Sequence, residues 1–257
     1  MYIMGFPNFK NKKEEESIYT PSQYMTYKKR IGKLPKIKPP EGIIFCYNKE
    51  LFNYILDNHK TTNVDRAFSY MVLLNETKGK IGVIKLSVGS PLAAKRMEEL
   101  IAFGVKKFIS IGTAGSLQKD VSIGSLVVCK KAIRDEGVSH HYLKKSKYSY
   151  PSKDMVSRIK KSLCENKYFE GATWTIDAPY RETIAEVKKY QEEGVLTVEM
   201  EASALFAVGQ YRNVEVGAIF TISDSHAGLQ WMPKSHSKKT KKSLEILYNV
   251  ATDVLLN

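Results

Sequence analysis

The amino-acid sequence predicts an α/β protein, a single three-layer α/β/α domain with a mostly parallel, partly mixed central sheet. Short runs of β-branched and aliphatic residues alternate with segments whose apolar residues recur at helical spacing. This alternation is typical of a sheet covered by helices on both faces. The length of 257 residues suits one such domain, which we predict over residues 41–257. Residues 1–40, a mixed-charge run followed by a proline-rich stretch, are predicted to form a peripheral N-terminal arm.

The first half of the chain contains apolar runs separated by polar segments. We predict strands at residues 42–47, 69–74 and 80–86, and a helix at residues 49–58. Ser90 and Pro91 have the residue types of an N-cap and of the first helical position, so a helix should begin at Ser90 and end at Gly104. A strand predicted at 107–111 leads into the segment Gly-Thr-Ala-Gly at 112–115, which we interpret as a turn.

The second half continues the alternation and ends in an amphipathic segment. Strands are predicted at residues 125–129, 172–176, 195–198 and 214–222, and helices at residues 155–164, 182–191 and 201–210. A polar loop that contains Asp224, His226, Trp231 and His236 follows the last of these strands. A final helix is predicted from Thr240 onward.

The charge balance and the cysteine content narrow the possible partners. The net charge is +13, but the basic residues are spread along the chain without a nucleic-acid-binding motif, so we predict a solvated surface that attracts small anions. No apolar run approaches the roughly 20 residues of a membrane helix, and no secretory signal is recognisable. The three cysteines and the five histidines show no metal-ligand spacing. We predict a cytoplasmic protein without a metal, and neither nucleic acid nor a membrane as a partner.

Two carboxylates mark the junction between a predicted strand and a predicted helix. Glu199 and Glu201 flank Met200 at this point, and Asp224 ends the apolar run at 217–224. Catalytic groups of α/β proteins lie where strands end, whereas the alternative is that one carboxylate caps the helix and that Asp224 caps a turn. The segment at 112–115 would suit an anion or a ribose, or would be a structural turn. It matches neither a P-loop nor a dinucleotide-binding fingerprint.

These three segments together resemble the hexameric-type nucleoside phosphorylases and the related nucleosidases. The resemblance spans about residues 42–256 and is carried by Gly-Thr-Ala-Gly at 112–115, Val-Glu-Met-Glu-Ala at 198–202 and Ser-Asp at 223–224. It implies phosphorolysis of a ribonucleoside, purine favoured over uridine, to free base and ribose 1-phosphate. It further implies phosphate as co-substrate, no cofactor and a homo-oligomer, either a dimer or a hexamer.

The resemblance assigns the sugar-binding roles to the first two segments. Glu201 looks like the carboxylate that accepts the 2′- and 3′-hydroxyls, and Met200 looks like the side chain packed on the sugar. Glu199 looks like a residue beside base and sugar. Thr113, with the Gly112 backbone, looks like part of the phosphate and ribose cradle.

The base-binding roles fall on later residues. Asp224 looks like the acid that protonates a departing purine, and burial in an apolar site would raise the pKa of such a carboxyl. Pro179 and Tyr180 lie in a segment that resembles the base-stacking loop. A dead, nucleoside-binding relative would not need the acid, so the presence of Asp224 favours an enzyme over a non-catalytic binding protein.

The chain departs from the phosphorylase pattern where phosphate is expected. Ser110 stands where these phosphorylases have an arginine, and the segment at 45–50 lacks their phosphate-binding loop. Arg134 and Arg181 are candidate replacement cations, and Arg134 also resembles part of some uridine phosphorylases. Glu50 stands near the glutamate that orients water in the nucleosidases. Uridine phosphorolysis and nucleoside hydrolysis therefore remain as alternatives.

Overall fold

The computed structural model describes residue 12, residues 14–64 and residues 68–257. The α-helices of this part of the chain are α1 (Pro21–Arg30), α2 (Lys49–Asn58), α3 (Ser90–Phe103), α4 (Lys153–Ser162), α5 (Ile184–Glu192), α6 (Ala202–Arg212) and α7 (Lys238–Leu256). The strands are β1 (Gly42–Cys46), β2 (Thr61–Asn63), β3 (Met71–Leu74), β4 (Ile81–Lys85), β5 (Lys107–Ser116), β6 (Leu126–Asp135), β7 (Tyr148–Ser149), β8 (Tyr168–Ile176), β9 (Thr197–Glu199), β10 (Glu215–Ser225) and β11 (Met232–Pro233).

All the described strands belong to one mixed sheet. Its order is β11-β10-β6-β8-β9-β5-β1-β4-β3-β2, and β7 pairs with β6. Strands β4, β1, β5 and β10 are joined by parallel pairings, as are β6, β8 and β9. Because β10 pairs with both β5 and β6 while β9 pairs with β5, that half of the sheet closes into a ring. The predicted α/β fold with a mixed central sheet is confirmed.

Helices cover both faces of the sheet. One hydrophobic cluster contains the buried sides of α1, α3 and α6, and a second contains those of α2, α4 and α7. Helix α6 is buried from Ala202 to Gly209, because its small residues let it lie directly against the sheet. A Cβ atom at Gly209 would lie 2.4 Å from a methyl group of Val216 on β10. Helix α5 packs against a third, smaller cluster around Trp174.

Strand β5 is longer than predicted, and the turn expected at 112–115 is wrong. The backbone of this segment pairs with β10 on one side, and from Gly115 it also pairs with β9 on the other. Glycine and threonine in a strand signal a close approach of neighbouring groups as well as a turn. Strand β10 is likewise longer than expected and includes Asp224, which was predicted to lie in a loop.

The start of α3 also differs from the prediction. Gly89, with φ of 116°, is the N-cap, and Ser90 is the first helical residue. The Ser90 hydroxyl does not cap the helix but donates a hydrogen bond of 2.7 Å to the carbonyl of Met200. This bond ties the start of α3 to the start of α6.

The predicted N-terminal arm contains a helix that sequence reasoning missed. Helix α1 begins with a capping box in which Thr20 and Gln23 bond reciprocally, and Met25 is buried against the first cluster. The rest of α1 is polar, which hid its periodicity. None of the helices in the described part of the chain combines the length and the apolar character needed to cross a bilayer.

Candidate active site

The ends of three neighbouring strands, β10, β5 and β9, bring the predicted carboxylates to the same region of the sheet. Asp224 on β10 is opposite Gly115 on β5, and Gly115 is opposite Val198 on β9. Two strand spacings therefore separate the backbones of Asp224 and Val198, about 10 Å. Because β9 runs antiparallel to β5, the residues that follow Val198 lie alongside the residues that precede Gly115. The structure thus places Asp224 on one side of β5 and the pair of glutamates on the other.

Glu201 holds one end of this arrangement. Its carboxylate is 7% exposed and accepts a hydrogen bond of 2.5 Å from the backbone N–H of Gly89. Burial, followed by the charge of Glu199, raises the pKa of Glu201 to about 8. Although Glu201 is the N-cap residue of α6, its side chain makes no capping bond. The carboxyl therefore does not cap α6, and backbone groups of Gly89 and Met200 hold it in place.

Glu199 has a structural role in the described chain. One carboxylate oxygen accepts from the backbone N–H groups of Glu201 and Ala202, at 2.8 and 2.7 Å, and the other accepts from the Thr175 hydroxyl at 2.5 Å. Burial raises the pKa of Glu199 to about 7 despite these bonds. The capping alternative therefore applies to Glu199, because both of its oxygens are engaged by the protein. A direct contact with base and sugar stays a prediction.

Tyr47 was not singled out from the sequence, yet it lies close to the glutamates. It follows β1 next to Gly112, and a Cβ atom at Gly112 would lie 3.4 Å from the Tyr47 ring. Its hydroxyl is buried and makes no hydrogen bond of good geometry among the described residues, although the Ser110 hydroxyl lies close enough to act on its pKa. Burial first, and then the charge of Glu201, raises the pKa of Tyr47 well above its usual value. An unpaired buried hydroxyl destabilises the protein unless a ligand satisfies it.

Thr113 lies on β5, between the strands β9 and β10, whereas Met200 directly precedes Glu201. Thr113 is half-buried on β5, opposite Thr221 on β10. Met200 is half-buried at the bend that leads into α6, where its carbonyl accepts from Ser90. Gly112 is buried in β5. The structure therefore places the predicted cradle in the strand that joins the two carboxylate ends.

Asp224 is positioned by an irregularity of β10. The register between β5 and β10 shifts between Ile222 and Asp224, which re-aims the carboxylate. One oxygen accepts from the Ser223 hydroxyl at 2.6 Å, and the other accepts from Trp231 Nε1 at 3.1 Å and faces His226 Nε2 at 3.2 Å. Burial raises the pKa of Asp224, but the hydrogen bonds and the charge of His226 outweigh it, so the net pKa is below the usual value. The expected rise is thus wrong, because a histidine accompanies the carboxylate.

His226 lies between two carboxylates. Its Nε2 faces Asp224, and its Nδ1 is 3.6 Å from an oxygen of Glu182. The ring is seated against β5, where a Cβ atom at Gly115 would lie 2.9 Å from it. Hydrogen bonding to Asp224 is the largest cause that raises the pKa of His226. Glycine at 115 therefore makes room for the imidazole.

Asp224 and His226 line a cavity of about 450 Å³. Pro179 and Tyr180 form part of its rim, in a 3-10 turn, and the Tyr180 side chain is 99% exposed. Arg181 ends the same turn and is exposed. The volume lies within the usual range of small-ligand sites. The structure therefore brings the predicted base-stacking residues to the cavity that contains Asp224.

Two other predicted site residues are engaged elsewhere. The Arg134 guanidinium is buried and donates to Ser139 at 2.9 Å, to the Lys144 carbonyl at 2.7 Å and to the Ser146 hydroxyl at 2.7 Å. The loop at 139–146 uses these donors, which disfavours phosphate binding by Arg134, and that role stays a prediction. Glu50 forms ion pairs with Lys241 and His236 beside α7, on the opposite face of the sheet from α6. This position separates Glu50 from Glu201 and argues against a water-orienting role.

Comparisons with known proteins identify the family. A model of the phosphorylase superfamily matches residues 47–255. The chain belongs to the phosphorylase superfamily. A guanosine phosphorylase of Halorubrum lacusprofundi is 28% identical over 180 residues, which covers 66% of this chain and 75% of that protein. DeoD-type purine nucleoside phosphorylases of Bacillus cytotoxicus and Bacillus cereus are each 30% identical over 159 residues, which covers 57% of this chain and 65% of each relative.

These matches make the chain an enzyme of the nucleoside phosphorylase type. The matched part spans just under two thirds of the length of the DeoD-type relatives. Among the described residues, no group of three or more histidine, cysteine or carboxylate side chains is arranged to hold a metal ion.

Sequence reasoning did not assign roles to Tyr47, Glu182 or His226 in this phosphorylase-type site. His226 was predicted only to lie in a polar loop. Its position two residues after Asp224, next to the end of β10 at Ser225, was the available signal, because alternate residues along a strand share a face. Glu182 was placed inside a helix, and no local pattern connects it to His226 across a separation of 44 positions.

Proposed function

We propose that this protein cleaves the N-glycosidic bond of purine ribonucleosides with phosphate and releases free base and ribose 1-phosphate. The observation that carries the proposal is the placement of Glu201 and Asp224 on opposite sides of β5, next to strands β9 and β10, whose residues Val198 and Asp224 lie about 10 Å apart by strand spacing. This separation suits a nucleoside whose sugar lies at one end and whose base lies at the other. The printed names of the relatives, guanosine phosphorylase and purine nucleoside phosphorylase, support the choice of substrate and reaction.

At the sugar end, Glu201 supplies the charge that the reaction needs. Cleavage passes through a sugar that resembles an oxocarbenium ion. A carboxylate that accepts the 2′- and 3′-hydroxyls fixes the ring and stabilises the developing positive charge. The Gly89 N–H holds one oxygen of Glu201 in place, so the side chain is oriented before the substrate arrives.

At the base end, Asp224 serves the leaving group. A purine departs readily once its imidazole nitrogen N7 is protonated, and a carboxyl group within hydrogen-bond reach can deliver that proton. The cavity rim formed by Pro179 and Tyr180 provides a surface for the base. Uridine offers no equivalent nitrogen, so the purine assignment depends on this group.

We place phosphate beside Thr113, between the two ends. Its hydroxyl lies on β5, the strand that separates Glu201 from Asp224, so a nucleophile there would reach the anomeric carbon from the sheet side. The net charge of +13 favours anions in general. The predicted homo-oligomer and the cytoplasmic location stay predictions.

Hydrolysis is a second candidate, favoured by one specific observation. Ser110, where a phosphate-binding arginine was expected, is a buried neutral side chain, and the neighbouring Tyr47 adds a neutral hydroxyl. Water needs only hydrogen-bond partners, whereas phosphate also benefits from a cation. The unpaired Tyr47 hydroxyl would satisfy either ligand.

Turnover of inosine as a function of phosphate concentration tests the proposal. We expect activity that saturates with phosphate and yields hypoxanthine and ribose 1-phosphate. Adenosine, uridine and methylthioadenosine in parallel reactions establish the preferred base. Release of free ribose at a rate independent of phosphate would replace phosphorolysis by hydrolysis, and a preference for uridine would overturn the purine assignment.

A further inference from the structure

We infer that His226 is the proton store of the base end: held between Asp224 and Glu182, it supplies through Asp224 the proton that a departing purine takes up. This inference rests on the proposed function and adds a positioning residue to the same site. Asp224 is surrounded by three donor groups that favour its ionised form, so the carboxyl does not itself retain a proton near neutral pH.

The surroundings of His226 favour the imidazolium instead. Asp224 on β10 faces one ring nitrogen at 3.2 Å, and Glu182, from the segment before α5, faces the other at 3.6 Å. Each carboxylate favours a proton on the nitrogen that it faces. The two nearest charged groups are therefore both acidic. Glu186 on α5 acts more remotely, through its charge on Glu182.

Glu182 itself indicates that the cluster holds a movable proton. Its carboxylate is largely buried, and the oxygen that faces His226 has no hydrogen-bond partner within the described residues. Burial raises the pKa of Glu182, while the charge of His226 opposes that rise. Glu182 and His226 thus form a buried pair that competes for a proton behind Asp224.

The proton passes from His226 through Asp224 to the purine. As the bond between the anomeric carbon and N9 breaks, its electron pair passes into the purine ring. N7 takes a proton from the Asp224 carboxyl group, and Asp224 takes the proton from Nε2 of His226. A neutral imidazole remains, and solvent restores its proton after the base leaves through the open rim.

The packing of the ring supports a dedicated position. A side chain at position 115 would collide with the imidazole, because its Cβ atom would lie 2.9 Å from two ring atoms. The His226 backbone N–H donates to the Ser116 carbonyl at 2.8 Å. His226 is therefore fixed against β5 by its backbone as well as by its two carboxylates.

The test uses two purine ribosides, one of which needs a proton at N7 and one of which does not. Inosine must be protonated at N7, whereas 7-methylinosine carries a methyl group and a fixed positive charge there. We expect His226→Gln to lower kcat/KM for inosine by about 10²-fold, the scale of a general acid. For 7-methylinosine we expect a change within about twofold. The glutamine amide can still donate to Asp224, which keeps the loop in place.

Two controls separate a proton store from a structural role. His236→Gln replaces an exposed histidine of the same polar loop and should leave both substrates unaffected. In the wild type, kcat/KM for inosine should fall as pH rises through the pKa of His226, and Glu182→Gln should move that limb to lower pH. Equal losses on both substrates in His226→Gln would overturn the inference while leaving the proposed function intact.

A measurement without substrate distinguishes failure of the proposed function from failure of the inference about His226. An NMR titration of the histidine rings should show His226 with a pKa above its usual value of 6.5, and Glu182→Gln should lower it. If the wild type cleaved neither riboside, the proposed function would fail, and the titration alone would decide the inference. A His226 that titrates at its usual value would overturn it.

Discussion

The two ends of the candidate site treat their carboxylates in opposite ways. At the junction of β9 and α6, Glu199 and Glu201 are buried next to each other, with only neutral donors bonded to them, and the pKa of each is raised. At the end of β10, Asp224 faces a histidine, and the pKa of the carboxyl is lowered. Burial alone therefore does not determine the charge of a carboxylate in this site. The partner that shares the burial determines it.

This contrast matches the chemistry proposed for each end. The sugar end must stabilise a positive charge that exists only during the reaction. With a pKa of about 8, the Glu201 carboxyl is largely protonated near neutral pH before substrate binds, and the developing cation favours its ionised form. The base end must supply a proton, so an anion backed by an imidazolium is useful there. Three substitutions and a pH series test this contrast.

The largest effect is expected for Glu201→Gln. The amide oxygen can keep the bond from Gly89, but the charge opposite the developing cation is lost. We expect kcat/KM for inosine to fall by about 10²–10³-fold. The loss on 2′-deoxyinosine should be much smaller, because that sugar lacks one of the two hydroxyls. Kinetics on this pair of substrates provide the check, and equal losses would make Glu201 a purely structural residue.

A smaller but still large loss is expected for Asp224→Asn. The amide cannot pass a proton to N7, so cleavage of inosine should fall by about 10²-fold. Any cleavage of uridine should be nearly unaffected, since its base has no N7. Parallel kinetics on the two nucleosides decide the matter. A uridine activity that exceeds inosine activity in the wild type and persists in this variant would reassign the enzyme to pyrimidines.

Glu199→Ala should act mainly on stability. It leaves the backbone N–H groups of Glu201 and Ala202 and the Thr175 hydroxyl without their buried acceptor. We expect the free energy of unfolding to fall by roughly 2 kcal/mol or more. Chemical denaturation measures this, and Glu199→Gln is the matched control, since the amide can satisfy the same groups after a flip. Full stability in the alanine variant would show that the cap is unimportant.

The smallest effect is a pH dependence of opposite sign at the two ends. The pKa of Glu201 is about 8 in the folded protein, so this group destabilises the folded state increasingly as pH rises from its unfolded-state pKa to about 8. Glu201→Gln removes this effect, and it should raise Tm at pH 8 and change Tm little at pH 5. Asp224 has a lowered pKa, so its contribution is present above its unfolded pKa and is lost as pH falls. Asp224→Asn should therefore lower Tm more at pH 7 than at pH 3. Melting curves at these pH values test both slopes, and parallel slopes would contradict the contrast.

Local patterns in the sequence were sufficient for most of the fold. The helix at 49–58 and the strand that begins at Gly42 were predicted within one residue, since each has clear periodicity and flanking polar residues. The segment at 112–115 was misread, because its pairing with β9 and β10 depends on residues about 80 and 110 positions away. Long-range pairing of this kind has no local signature.

The candidate site was only partly accessible to the same reasoning. The junction at 199–201 and Asp224 stood out because carboxylates at strand ends are unusual. Whether Glu199 or Glu201 capped α6 depended on Gly89, more than a hundred positions away. The engagement of Arg134 by the loop at 139–146 was equally invisible, as was the ion pairing of Glu50 with α7.

The division of the site into a sugar end and a base end is tested most directly by assaying both variants on substrates that probe each end. Glu201→Gln and Asp224→Asn are both assayed on inosine, 2′-deoxyinosine and 7-methylinosine, and kcat/KM is referred to the wild type. We expect Asp224→Asn to have near wild-type kcat/KM on 7-methylinosine, whereas Glu201→Gln should stay impaired on that substrate. On 2′-deoxyinosine, we expect the loss of kcat/KM relative to the wild type to be smaller than on inosine for Glu201→Gln and unchanged for Asp224→Asn. The same relative loss on all three substrates for both variants would contradict a division of the site into a sugar end and a base end.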